Sequence, residues 1–223
     1  MKGKVSEIFD SIQGEGIYFG EKQIFMRFFG CNLNCGFCDT RLERFSEYEP
    51  EELGEKLRSY GSGYHSVVFT GGEPLLQKDF LREALKITHR LGHRNYLETN
   101  GTLPGALEEV IDDLEIVAMD LKLPSSTGLE RYWEEHRRFL RIASRKEVFL
   151  KAVVCRDTDE KDLQEGLGLI KEIDRSAVLV LQPDSCADQG FLSQKLEHFR
   201  DICMREDIAC CVIPQMHKIL GVR

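Results

Sequence analysis

The sequence predicts an α/β protein with an incomplete (β/α)6-type parallel barrel, and three observations carry that prediction. Short apolar runs alternate with longer amphipathic ones along residues 1–223. Because a crossover between parallel strands is right-handed and covers a face of the sheet, repeated alternation of this kind implies a parallel sheet. About six such units are present, too few for a closed eight-fold barrel. Glycine-rich, polar or thiol-rich segments follow the apolar runs, at the strand ends where parallel folds place their sites.

Residues 5–9 alternate apolar and polar and read as a short strand ending in Ser11-Ile12-Gln13-Gly14-Glu15-Gly16. Two glycines around one carboxylate is by itself a common turn pattern. Residues 23–29 are apolar almost throughout, as in a strand buried on both faces. Arg27 interrupts that run, and a planar guanidinium there calls for a partner such as a carboxylate. A thiol-bearing loop, Gly30 to Thr40, comes next, then a polar connection over 43–48. Pro50 with Glu51 and Glu52 opens a helix over 50–60, and Gly61-Ser62-Gly63 ends it. The strand 66–69 runs into Thr70-Gly71-Gly72-Glu73-Pro74, whose glycine pair lets a ligand approach the backbone, and a helix extends to about residue 91. Strands follow at 95–98, 116–121, 148–154, 177–181 and 208–213, with helices at 104–112, 129–143, 160–173 and 191–204. The strand ends deliver Thr99-Asn100-Gly101, Asp120 with Lys122, and Gln182-Pro183-Asp184. No linker, repeat or low-complexity segment interrupts them, so residues 1–223 are expected to be one domain.

A net charge of −8 and a pI near 5.4 argue against a general polyanion binder, while leaving room for one local basic pocket. Nucleic acid is therefore not an expected partner. The N-terminus lacks the apolar stretch of a signal peptide, and no apolar run reaches the roughly 18 residues of a membrane span. The expected location is the cytoplasm, where the eight cysteines stay reduced.

Cys31, Cys35 and Cys38 form a C-x3-C-x2-C array. A disulfide would leave one of the three unpaired, and four-coordinate zinc needs a further ligand that no second C-x2-C or H-x3-H supplies. Three thiolates can hold three irons of a 4Fe–4S cube and leave the fourth iron open to a small molecule. Zinc and redox thiols remain the alternatives. Cys155, Cys186, Cys203, Cys210 and Cys211 show no metal spacing and read as packing residues.

The thiol array, with aromatic Phe37 before its last cysteine, and Gly71-Gly72-Glu73-Pro74 resemble the signatures of the radical S-adenosylmethionine (SAM) superfamily. Gln13-Gly14-Glu15-Gly16, Cys38-Asp39-Thr40, Glu98-Thr99-Asn100-Gly101 and the tail Pro214-Gln215-Met216-His217-Lys218 narrow the resemblance to the 7-carboxy-7-deazaguanine synthases. That resemblance implies a radical SAM core and a carbon–nitrogen lyase of queuosine biosynthesis. It would contract 6-carboxy-5,6,7,8-tetrahydropterin to 7-carboxy-7-deazaguanine with loss of ammonia, through a 5′-deoxyadenosyl radical that makes SAM a recycled cofactor. The implied cofactors are a 4Fe–4S cluster on Cys31, Cys35 and Cys38, SAM, and Mg2+ with Thr40 as protein ligand. Carried over by position, the substrate contacts are Ile12, Gln13, Gly14, Glu15, Arg27, Thr70, His217 and the terminal Arg223. The SAM contacts are Phe37, Asp39, Gly72, Glu73, Asp120, Lys122 and Gln182. Asp120-Leu121-Lys122 departs from the Ser-Pro-Lys common in the family. The family also implies a homodimer and an electron donor such as flavodoxin or ferredoxin.

Two other classes share parts of this pattern. A glycyl-radical-enzyme activating enzyme would keep the thiol loop and the Gly-Gly-Glu-Pro turn without a pterin pocket. A non-catalytic zinc or iron–sulfur interaction domain would keep only the thiols. Replacing Cys35 with Ala is expected to abolish the visible iron–sulfur absorption of anaerobically reconstituted protein, and Cys155→Ala to leave it intact. Retained iron in the first variant would overturn the ligand assignment.

Overall fold

The structure is a computed structural model describing residues 2–40 and 42–221. In chain order it contains β1 (Gly3–Ile12), β2 (Lys22–Phe28), β3 (Ser46–Tyr48), α1 (Pro50–Arg58), β4 (Val67–Gly71), α2 (Lys78–Arg90), β5 (Asn95–Thr99) and α3 (Pro104–Glu108). Then follow β6 (Ile116–Asp120), α4 (Pro124–Thr127), α5 (Trp133–Ala143), β7 (Glu147–Val154), α6 (Glu160–Ile173), β8 (Val178–Pro183), α7 (Gln189–Arg205), β9 (Cys210–Val212) and α8 (Met216–Leu220).

Among the described residues all nine strands join one sheet in the order β3-β1-β2-β4-β5-β6-β7-β8-β9. From β2 to β9 every neighbouring pair is parallel, whereas β1 pairs antiparallel with both β2 and β3. The six crossovers from β2 to β9 make the open, incomplete barrel that the alternation predicts.

Each central strand is apolar on both faces, and the two faces enter different cores. Val67 and Phe69 of β4, Leu97 of β5 and Leu150 of β7 pack outward with Leu53, Leu81 and Leu85 of the helices. Phe25, Val68, Tyr96, Ile116, Ala118, Phe149 and Val180 pack inward with Phe9 as a second cluster. That division follows from the two-residue period of a strand. The loop between β1 and β2 is closed by Gln13 N donating to Glu21 O (2.8 Å) and Gly20 N to Gln13 O (2.9 Å). It rests against the inner cluster, where Tyr18 stacks near Tyr96 and Phe149 and its hydroxyl donates to Glu147.

Several boundaries differ from expectation. The polar connection 43–48 ends in β3, an edge strand with exposed Ser46 and Glu47 and therefore without alternation to betray it. Pro74–Gln77 is a 3-10 turn preceding α2. The helix expected over 129–143 starts at Trp133, because α4 is terminated before it by Gly128 in the left-handed region (φ 72°). The helix expected over 104–112 stops at Glu108, and the strand expected over 208–213 contracts to β9. Among the described residues no helix is long and apolar enough to cross a membrane.

Gly16 tests the loop's seat on the inner cluster. Its φ is 69°, and a Cβ there would lie 2.6 Å from Phe149 Cε2. Gly16→Ala is expected to cost about 2 kcal/mol from strain and overpacking, measured by denaturant unfolding. An unchanged midpoint would mean the loop does not seat against Phe149.

Candidate active site

Beyond the inner apolar cluster, the same inward faces turn polar at the C-terminal strand ends. Two residues past Phe25, Val68, Tyr96, Ala118, Phe149 and Val180 stand Arg27, Thr70, Glu98, Asp120, Lys151 and Gln182. They line a single cleft of about 820 Å3 whose wall includes the thiol loop and the tail. The two layers are a consequence of period two: residues i and i+2 share a face, so an apolar floor and a polar lining come from the same strands.

Cys31, Cys35 and Cys38 follow β2 and all line the cleft. The strand and turn beside them hold the loop closely. Glu73 N donates to Gly30 O (2.8 Å) and Gly72 N to Phe28 O (3.0 Å). A Cβ on Gly72 would fall 1.9 Å from Gly30 O, so the Gly71-Gly72 turn is the only width that lets the thiol loop lie this close. Gly36 N donates to Thr127 O (2.9 Å), tying the far side of the loop to α4. Asn100 Nδ2 donates to Asn32 Oδ1 (2.8 Å), and Leu33 N approaches Cys31 Sγ at 3.4 Å. Burial pushes the Cys31 and Cys35 thiols up, while the Lys122 charge pulls both down. Among the described residues no three Cys, His, Asp or Glu side chains converge on a single ion. The donor set suits a cube held through three irons: three thiols on one short loop, the Leu33 N–H and the Asn100 amide directed at the Cys31 sulfur, and the Lys122 charge nearby.

The expected substrate residues belong to the same cleft. Gln13 is buried, and its Nε2 donates to Glu98 Oε1 and to Gln23 Oε1, both at 3.0 Å. Thr70 Oγ1 donates to Glu98 Oε2 (2.7 Å). Arg27 Nη1 pairs with Glu7 Oε1 at 2.9 Å and its guanidinium lies over the Phe9 ring, with part of the fork open to the cleft. Ile12, Gly14, Thr40 and His217 also line the cleft. Gly14 must be glycine to let the tail pass, since a Cβ would meet His217 Nδ1 at 2.6 Å. Glu15 reaches in from the loop, but both its oxygens are engaged, by Lys151 Nζ (2.9 Å) and Gln215 Nε2 (2.8 Å).

Among the expected SAM contacts, Phe37, Asp39, Gly72, Asp120, Lys122 and Gln182 line the cleft. Asp39 pairs with Lys218 and accepts from Gln215 Nε2 (3.2 Å). Burial alone would raise the Asp39 carboxyl, and the Lys218 hydrogen bond and charge outweigh it, leaving it below its usual range. Asp120 pairs with Lys122 (2.8 Å) and Lys151 (3.4 Å), which explains how an acidic residue is accommodated there. Lys122 Nζ lies 5.4 Å from the Phe37 ring centroid. Gln182 lines the cleft but is only 4% exposed, and its Oε1 is buried without a hydrogen-bond partner.

Two expectations fall outside this arrangement. The Glu73 side chain does not face the cleft; it is fully buried, accepting from Leu75 N (3.0 Å), Asn100 N (2.8 Å) and Thr99 Oγ1 (3.0 Å). It braces the ends of β4 and β5 against each other. The physical reason is the 3-10 turn after it, whose free N–H groups need an acceptor on the inner side. Arg223 lies outside the described residues.

Glu98, Lys151, Gln215 and Lys218 also line the cleft and are absent from the expected contacts. Lys151 had a legible signal, the same one that marks Arg27: a cation inside an otherwise apolar strand. Gln215 and Lys218 stood in the tail motif, but their contacts were not legible, because their partners lie 200 and 179 positions away in Glu15 and Asp39.

Glu73 carries a prediction. Burial pushes its carboxyl up to about 7 against its hydrogen-bond donors, from an ordinary 4.5. Removing it orphans two buried N–H groups, so Glu73→Ala is expected to destabilise the protein by about 3 kcal/mol. A carboxyl whose pKa is raised by folding stabilises most below 4.5 and loses that contribution as pH rises through 7. The stability gap between wild type and variant should therefore narrow from pH 5 to pH 8 in denaturant titrations; a gap that widens would refute the assignment.

Comparison with known proteins agrees with this geometry. Residues 26–165 match the radical SAM superfamily. The chain is 33% identical to the 7-carboxy-7-deazaguanine synthase of Geobacter sulfurreducens, covering 98% of this chain and 97% of that one. It is 36% identical to the synthase of Archaeoglobus fulgidus, covering both chains completely. Among solved structures, QueE from Escherichia coli superposes with a TM-score of 0.64 at 22% identity, over 95% of this chain and 93% of that one. Streptococcus suis SuiB bound to S-adenosylmethionine superposes at 0.61 and 20% identity, over 82% of this chain and 48% of its own. These two likenesses establish the shared fold.

Proposed function

The chain belongs to the radical SAM superfamily and, within it, to the 7-carboxy-7-deazaguanine synthase family, and we propose that its cleft contracts 6-carboxy-5,6,7,8-tetrahydropterin to 7-carboxy-7-deazaguanine with loss of ammonia. The observation that carries this reading is the convergence of the thiol loop, the Gly71-Gly72 turn, Gln13-Gly14-Glu15 and Arg27 on one cleft. Similarity over the whole chain, tail included, favours it over a glycyl-radical activator, and the superfamily match over a zinc module.

Cys31, Cys35 and Cys38 would hold the 4Fe–4S cluster. When bound, the cluster and SAM supply the radical that begins the rearrangement, the protein's part being position and exclusion of water. Gly72 and Gln182 line the cleft on the SAM side, Gly72 in the turn that seats the thiol loop against Gly30. Phe37, Asp39, Asp120 and Lys122 complete that side. On the other side the Arg27 fork receives the substrate carboxylate. Gln13, Thr70 and Glu98 present amide, hydroxyl and carboxylate to the hydrogen-bonding edge of the pterin, beside Ile12, Gly14, Glu15 and His217. Mg2+ would take Thr40 as its protein ligand and the rest of its shell from substrate and water, as a hard cation with few protein ligands does. Residues 1–223 would act as one catalytic domain, in a cytoplasmic homodimer reduced by flavodoxin or ferredoxin.

Anaerobically reconstituted, reduced protein given SAM, Mg2+ and the carboxy-tetrahydropterin is expected to release the deazaguanine acid, with a lower rate when Mg2+ is omitted. Normal SAM cleavage without that product would sink the reading. Arg27→Ala is expected to lower kcat/KM for the pterin by about 10- to 100-fold through loss of a charge-assisted contact, while leaving iron content unchanged.

A further inference from the structure

Lys151 sits mid-strand in β7, its side chain 8% exposed, and its Nζ meets carboxylates from two separate elements. Glu15 Oε2 is 2.9 Å away, from the loop after β1. Asp120 Oδ1 is 3.4 Å away, at the end of β6. Each carboxylate passes the connection on through its other oxygen, Glu15 to Gln215 of the tail (2.8 Å) and Asp120 to Lys122 (2.8 Å). One ammonium thus stands at the centre of a chain of contacts, Gln215–Glu15–Lys151–Asp120–Lys122, running through the polar lining of the cleft.

Packing does not account for this lysine. Burying an ammonium costs several kcal/mol, which an apolar side chain like neighbouring Leu150 or Ala152 would avoid. Burial alone would lower the Lys151 pKa, and the charges of Asp120 and Glu15 reverse that, holding it well above its ordinary value. Without it, Glu15 and Asp120 would face each other as two like charges sharing one site.

We propose that Lys151 is a positioning residue: by holding Glu15 and Asp120 together it sets the register between the loop that receives the pterin and the strand end that carries Lys122 beside the cluster loop. The inference rests on the function proposed above for what the two sides bind. Its consequence is alignment. The Glu15 loop also carries Gly14, whose carbonyl accepts from Met216 N (2.9 Å), so releasing Glu15 also releases the tail.

Two measurements test this. In hydrogen exchange on the full protein without substrates, Lys151→Met, which keeps the stem and removes the charge, is expected to speed exchange of the Gly20 and Met216 amides about tenfold, as loss of roughly one charged contact would. Lys151→Arg should restore most of the protection, and Glu15→Gln should loosen the same two amides. Unchanged exchange there, or a uniform rise that includes Leu97 of β5, would overturn the proposal. In the reconstituted enzyme Lys151→Met is expected to lower product formed per 5′-deoxyadenosine about 10²-fold, the scale of a small misplacement, with iron content retained. The double variant with Glu15→Gln should be no worse than Lys151→Met alone; additive losses would overturn the claim that Lys151 acts through Glu15. If wild type forms no deazaguanine, the functional reading fails, while the exchange comparison still decides the role of Lys151.

Discussion

The site depends on one geometric constraint, the two-residue period of six adjacent parallel strands. Because side chains at i and i+2 share a face, Phe25, Val68, Tyr96, Ala118, Phe149 and Val180 seal the interior of the open barrel. Arg27, Thr70, Glu98, Asp120, Lys151 and Gln182 then form the layer above them. The apolar layer keeps water from entering from below, so the charges of the polar layer interact in a medium less screening than bulk water. The loops that carry the thiols and the Gly71-Gly72 turn leave the same strand ends, which makes convergence at one mouth a property of the sheet.

That second layer is charged, and its charges had to be matched. Lys122 and Lys151 are both nearly buried, and each is paired to a carboxylate within 3 Å. Arg27 is paired to Glu7 and Lys218 to Asp39. This pairing reconciles a chain of net charge −8 with a cleft suited to an anionic substrate: the cations are placed where the fold needs them and are held there by acids. The tail takes part in the same scheme. Gln215 bridges Glu15 and Asp39, so the loop after β1 and the thiol loop are joined by a segment that follows the last strand.

Glycine marks two close approaches. Gly72 has no Cβ because Gly30 O would occupy its place, and Gly14 has none because His217 does. In the first case the space that a side chain would take is filled by the backbone of the thiol loop. The Glu73 carboxylate belongs to the same joint, on its buried side, which is why it braces backbone and does not reach the cleft.

The order of strands and helices, the open parallel barrel and the thiol loop were legible in the sequence, because each is written in local periodicity or spacing. Arg27 was legible as a charge in an apolar run, and Lys151 was written in the same way. Short exposed β3 was not, since an edge strand with polar faces has no alternation. Nor were the partners of Glu15, Asp39 and Asp120, or the inward turn of Glu73. Spacing along the chain determines which side chains share a strand face. Which of them meet depends on the register between strands and the path of the tail, and only the tertiary structure decides those, through contacts between residues far apart in sequence.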